Sequence, residues 1–265
     1  MGLDYTPPKL WLPPKPAIVR AASLKEVEAT FPFAMTRRIG YTPPAVTFDG
    51  TNDYLTRGAD FTGMADNKVG LFSIWIKPVS AATNRSIYSG TAQFQEFRLG
   101  TAGTFIVDIY TSVPAGILRM NTTAISTSAW SHIMGSWDLA ASAAHLYVNG
   151  VSDKTVTIGP TNNTIDWTRA NHGVGAVPDG TGKIETDMAD FYLNPAVYMD
   201  LSVQSNREKF ILGGKPVFLG ATGSLPTGSS PILFLSGDAS TFATNKGTGG
   251  GMTVTGALTD AATSP

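Results

Sequence analysis

Three groups of side chains have the types and spacing to do chemistry. Glu185, Asp187 and Asp190 stand at i, i+2 and i+5. Residues two apart on a strand share a face, and a bulge brings a residue five along onto it. Two carboxyls held about 5–5.5 Å apart can act as acid and nucleophile on a glycosidic bond. Asp49, Asn52 and Asp53, with Gly50 among them, put carboxylate and amide oxygens on one tight turn. Such hard oxygens suit calcium, and the same residue types also build an ordinary turn through positive φ and local hydrogen bonds. Trp75, Tyr110, Trp130, Trp137, Trp167, Asn171 and His172 form the third group. Aromatic faces stack on the C–H side of sugar rings while amides and carboxylates take the hydroxyls. Trp167 lies in the polar stretch TNNTIDWTRANH, which predicts an aromatic on an exposed loop with Asn171 and His172 nearby. Strand alternation sets Trp75 opposite Phe72 and Ile74, pointing it outward. Trp130 and Trp137 flank a strand, where capping the core is the competing role.

Other chemistries are excluded or unsupported. The 265 residues contain no cysteine, so disulfides, thiolate metal sites and cysteine nucleophiles are absent. His132, His145 and His172 have no metal-ligand spacing, and no G-x-S-x-G elbow accompanies them. The loop Gly247–Thr253 is glycine-rich but lacks the Lys-Ser/Thr of a phosphate cradle. A net charge of -1 argues against nucleic acid as a partner. No apolar run is long enough to span a membrane as a helix. The start, MGLDYTPPKLWLPP, lacks the basic and apolar segments of a secretion signal.

The elements that must position these residues are strands. With 32 Thr, 20 Ser and 28 Gly, the chain is rich in strand and turn formers. FSIWIKP, TFIVDIYT and AHLYVNGVSDK alternate as strands, and Asn149-Gly150 in the last is a two-residue hairpin signal of type I′. PILFLS and MTVTGAL add strands near the C-terminal end. Asp200–Leu212 is read as a helix capped by Asp200 or Ser202, packed through Val203, Phe210 and Ile211, and ended by Gly213-Gly214. Eight of the 17 prolines fall in residues 1–44. That stretch reads as an extended anchoring arm with Trp11, Leu12, Pro13 and Pro14 as its contact residues. Ser23 and Glu26 give it one capped helical segment, Ser23–Phe31. The division is therefore an arm over 1–44 and a β domain over 45–265.

Several segments, in order, resemble the laminin-G-like, concanavalin A-like jelly-roll superfamily. They are AVTFDGTNDYLT, FSIWIKP, WSHIMGSWD with LYVNGV, HGVGA and MADFYLNPAVYM, together covering Ala45–Leu201. The region beyond, DLSVQSNREKFI through GKPVFLGATGSLPTGSSPILFLSGD to ATNKGTGGGMTVTGALTDAATSP, resembles the carboxyl end of such proteins from tailed bacteriophages and prophages. The resemblance implies an all-β fold, a two-sheet antiparallel jelly-roll sandwich with one short helix in its C-terminal part. It implies a non-enzymatic virion structural protein, of decoration, tail or fibre type, assembled in the host cytoplasm. The arm would hold other virion proteins and sister subunits, and the jelly roll would touch host-surface polysaccharide. A saccharide-binding adhesion module is the alternative primary role.

The resemblance also bears on the acidic residues. In related domains the first turn shares calcium with an acidic residue on the closing strand; here that strand reads Met188-Ala189-Asp190, so the ligand is either missing or shifted to Asp190, which would then partner Asp49, Asn52 and Asp53. Glu185-x-Asp187-x-x-Asp190 resembles the Glu-x-Asp-x-x-Glu signature of jelly-roll endoglucanases. Asp stands in the last place, however, and the segment falls on the closing strand, so catalysis is the minor expectation.

Overall fold

The strand Val69–Pro78 shows how the fold is specified. Phe72, Ile74 and Ile76 enter one apolar cluster, while Leu71 and Trp75, on the opposite face, enter another. Alternation of period two therefore sorts the side chains, and both faces are covered. The computed structural model describes residues 40–80, 84–91, 95–112 and 115–265, all within one compact unit. Trp11, Leu12, Pro13, Pro14 and the expected Ser23–Phe31 helix lie outside the described residues.

In chain order the strands are β1 (Val46–Asp49), β2 (Tyr54–Arg57), β3 (Val69–Pro78), β4 (Arg85–Gly90), β5 (Gln95–Leu99), β6 (Thr104–Ser112), β7 (Ala115–Ala124), β8 (Ser131–Asp138) and β9 (Ala143–Val148). There follow β10 (Val151–Ser152), β11 (Thr155–Ile158), β12 (His172–Val174) and β13 (Glu185–Asn194). After one helical turn, α1 (Gln204–Arg207), come β14 (Ile211–Leu212), β15 (Lys215–Pro216), β16 (Leu233–Leu235), β17 (Thr253–Thr255) and β18 (Thr259–Asp260). One sheet runs β10-β9-β8-β3-β13-β1-β18, with β16 also pairing β13. The other runs β11-β7-β6-β5-β4-β12-β2-β17. The pairings are antiparallel, so the fold is the expected two-sheet jelly-roll sandwich.

Aromatic rings fill the space between the sheets. Phe72 lies 4.5 Å from Phe97 and 5.8 Å from Phe105, centre to centre. Trp137 stacks on Trp167 at 6.4 Å. Gly70 allows this packing, because a Cβ there would lie 2.2 Å from the Trp137 ring.

A third layer covers the outward side of the first sheet. Leu71, Trp75, Met134, Tyr147 and Tyr192 project from it and meet Met199, Leu201, Phe210, Ile211, Leu219 and Phe234. Burying aromatics of this size stabilises by about 1.5–3 kcal/mol each. This layer explains why the expected Asp200–Leu212 helix shrinks to one turn. Asp200 Oδ1 accepts from the Ser202 amide and hydroxyl (2.8 and 2.6 Å), closing a local turn instead of capping a long helix. Phe210 and Ile211 are drawn down onto the sheet, whereas Val203 is exposed. Gly213 and Gly214, at φ +58° and +76°, make the two-residue turn of the β14–β15 hairpin rather than a helix cap. Asn149 and Gly150, at φ +51° and +79°, make the expected hairpin turn between β9 and β10.

Candidate functional site

The aromatic group named from sequence does not assemble. Trp167 is fully buried against Trp137, not exposed on a loop. Asp66 Oδ1 accepts from the amides of Trp167 and Thr168 (2.9 and 3.1 Å) and turns the indole inward while the polar neighbours stay outside. Trp75 does point away from Phe72 and Ile74, but the third layer reduces its exposure to 4%. His172 is buried, with Phe61 4.4 Å away and the Tyr88 hydroxyl 3.1 Å from Nδ1. Burial lowers its pKa to about 4, against the opposing pull of Asp60. Asn171 alone of these four is exposed, in a left-handed conformation at φ +69°.

The oxygen donors do not converge either. Asp49 Oδ1 accepts from the amides of Thr51, Asn52 and Asp53 (2.8, 3.0 and 3.2 Å), which makes a self-contained turn. Asp53 Oδ1 accepts from the Ala257 amide (2.7 Å). Asp49 opposes Glu185, so Asp190 lies five residues further along β13, about 16 Å away. It does not fit as a shared ligand of that turn. Among the described residues no group of three or more acidic, His or Cys side chains is placed to hold a metal.

The expected bulge on β13 exists, and Asp190 is its residue at φ +44°, but no carboxylate pair results. Asp187 is held by Lys77 (3.0 Å) and by the Thr47 hydroxyl (2.7 Å). Asp190 is buried and accepts from the Tyr41 hydroxyl (3.3 Å). Its burial raises its pKa to about 6. Glu185 faces solvent.

A different constellation is present on the outward side of the second sheet. Ser89 on β4 opposes Glu96 on β5, Glu96 opposes Asp108 on β6, and Asp108 opposes Arg119 on β7. The register of four strands thus lines up one polar row. Arg98 Nη2 binds Asp108 Oδ2 at 2.9 Å and its Nε lies 3.3 Å from Glu96. Arg119 grips the other oxygen of Asp108 through Nε and also donates to the Tyr110 hydroxyl. Asp108 is buried beneath the two guanidiniums, which with Tyr110 remain half-buried and in reach of solvent. Burial raises the Glu96 pKa to about 7, with Arg98 opposing and Asp108 adding to the shift.

Only Tyr110 of this row was named from sequence. The signal lay in alternation: Glu96-x-Arg98, Asp108-x-Tyr110 and Arg119-x-Asn121 put paired polar groups on the outward side of three consecutive strands, with Ile106 the apolar exception between them. In a chain with 15% charged residues, that concentration marks an uncovered face.

Residues 49–193 match the profile of Laminin_G_3, the concanavalin A-like lectin/glucanases superfamily. The chain belongs to this family. Among solved structures, this lectin-like domain is similar to a heptameric SAP-like pentraxin of Limulus polyphemus, at 12% identity and a TM-score of 0.50, covering 82% of this chain and 96% of that one. It is also similar to a Bacteroides ovatus protein assigned provisionally to carbohydrate binding, at 14% identity and a TM-score of 0.54. That match covers 84% of this chain and 62% of the other. These likenesses show the fold of the lectin-like domain. No curated protein matches it.

Proposed function

We propose that the lectin-like domain is a non-enzymatic saccharide-binding module and that its site is the Glu96–Asp108–Arg119 row with Arg98 and Tyr110. The observation that carries this reading is one buried carboxylate clamped by two half-exposed guanidiniums. Asp108 fixes both arginines, so their remaining N–H groups are aimed before a ligand arrives. Tyr110 adds an aromatic edge beside hydroxyl-binding groups. The same clamp argues against hydrolysis, since the carboxylate bonded to two arginines is a poor nucleophile.

The setting we propose is a phage or phage-like particle. Residues 1–44 would anchor the protein to other virion proteins or sister subunits, leaving the sandwich to meet host-surface polysaccharide. The resemblance of residues 200–265 to phage proteins supports this setting.

The test is calorimetric titration of the full chain with polysaccharide extracted from bacterial envelopes. Saturable binding is expected, weakened at least about tenfold in Arg119→Ala and in Arg98→Ala. Binding unchanged in both variants would overturn the assignment of the row. Dependence on calcium would return attention to Asp49, Asn52 and Asp53. Release of reducing ends, lost in Glu96→Gln, would make the protein a hydrolase.

A further inference from the structure

The outward side of the first sheet carries a second polar row where the third layer ends. Thr47 on β1 opposes Asp187 on β13, and Asp187 opposes Lys77 on β3. Trp130 adjoins the start of β8, where Ser131 opposes Ile76. Lys77 Nζ binds Asp187 Oδ2 at 3.0 Å and lies 5.9 Å from the centre of the Trp130 ring. Trp75, Trp137 and Trp167 are buried, whereas Trp130 keeps part of its indole in water.

Residues 261–265 lie over this row. The Ala261 amide donates to the Ala45 carbonyl at 2.9 Å. The Thr263 hydroxyl then accepts from both Lys77 Nζ (3.0 Å) and Trp130 Nε1 (3.2 Å). A secondary alcohol between an ammonium, an indole N–H and a neighbouring carboxylate has the surroundings of a bound sugar hydroxyl.

We propose that Thr47, Asp187, Lys77 and Trp130 form a second saccharide site, and that Thr263 occupies it as a built-in competitor. When the 261–265 segment lifts, one sugar hydroxyl takes the place of the Thr263 oxygen and accepts from Lys77 and Trp130. The vicinal hydroxyl donates to Asp187 Oδ2, and the part of the indole left in water meets the C–H face of the next sugar of the chain. Lys77 and Asp187 balance each other's charge, so the site selects a neutral pyranose over an anionic one. The proposal rests on the reading of the domain as a saccharide binder, but it uses no residue of the Arg119 row.

The experiment uses the full chain carrying Arg119→Ala, which weakens the first site. It is titrated with maltotetraose, cellotetraose and a galactan tetramer while the Trp130 indole N–H resonance is followed. At least one tetramer is expected to shift that resonance. Thr263→Val keeps the shape and removes the acceptor of two hydrogen bonds, and is expected to bind at least about fivefold tighter, the worth of one net hydrogen bond or more. Trp130→Ala is expected to bind about tenfold weaker. No shift with any tetramer, or equal affinity in Thr263→Val, overturns the proposal. If envelope polysaccharide binding ignores Arg119→Ala while the tetramers still move Trp130, the first row fails and this site stands.

Discussion

The two outward faces of the sandwich are built by the same alternation and end in opposite states. On β3 the outward Leu71 and Trp75 are sealed beneath Phe210, Leu219 and other residues of the third layer. On β5, β6 and β7 the outward residues include Glu96, Arg98, Asp108 and Arg119, tied into one ionic row. Apolar outward residues call for a cover, because leaving several aromatics in water forfeits most of their transfer energy. Charged outward residues, even when paired with one another, lose hydration under an apolar cover and so do not draw one. The difference teaches that outward charges tied to one another leave a polar face without an apolar cover, and that such a face is the first to search for a ligand.

The contrast can be broken most decisively by deleting one outward aromatic from each face. Trp75→Ala should cost about 3–5 kcal/mol in urea denaturation, as a core truncation does. Tyr110→Ala should cost about 1 kcal/mol or less, as its ring is half in solvent. Equal losses would mean that the two faces do not differ.

The next effect is a pH dependence. The Glu96 pKa is raised to about 7 in the folded chain, above its ordinary value of 4.5. The native state therefore binds the proton more tightly, and stability from this group is complete below pH 4.5 and lost as pH rises through 7. Glu96→Gln should remove that decline and gain up to about 3 kcal/mol over the parent at pH 8.5. A parent and variant with parallel stability curves between those pH values would contradict the assigned burial. On the covered face Asp190, at about 6, should behave alike in Asp190→Asn, with its change complete at lower pH.

Asp108→Asn sharpens the comparison further. It leaves Arg98 and Arg119 facing a neutral amide, at a cost of about 2 kcal/mol, below the fully buried case because Arg119 keeps solvent contact. Thermal unfolding would measure it, and a stabilised variant would show that the row is not held by its charge. A small effect belongs to the hairpin beside the third layer. Gly213→Ala meets no atom within 4 Å, so only its positive φ is penalised, at about 1 kcal/mol.

Much of the architecture was legible. The alternation of FSIWIKP marks it as a strand covered on both faces, although its partners β8 and β13 are remote in the chain, and the Asn149-Gly150 turn specifies a hairpin whose partner is next in sequence. The bulge needed to bring Asp190 into play was also legible, yet its consequence was not. Whether Asp190 meets Asp187, calcium or Tyr41 depends on β16 and residue 41, which are remote from it in the chain. Trp167 was misplaced for a similar reason. Its neighbours are polar, and the ring is turned inward by contacts a hundred residues away, the Trp167 and Thr168 amides donating to Asp66 and Ile165 bridging to Asn67.

The sequence by itself determined the class of fold, its turns and the sorting of side chains to two sides of each strand, because these follow from backbone geometry over a few residues. The tertiary structure decided which side would be sealed, which carboxylates would be spent on internal partners, and which charges would line up across three strands. Those outcomes depend on register and on the docking of segments far apart in the chain, and no local pattern encodes either.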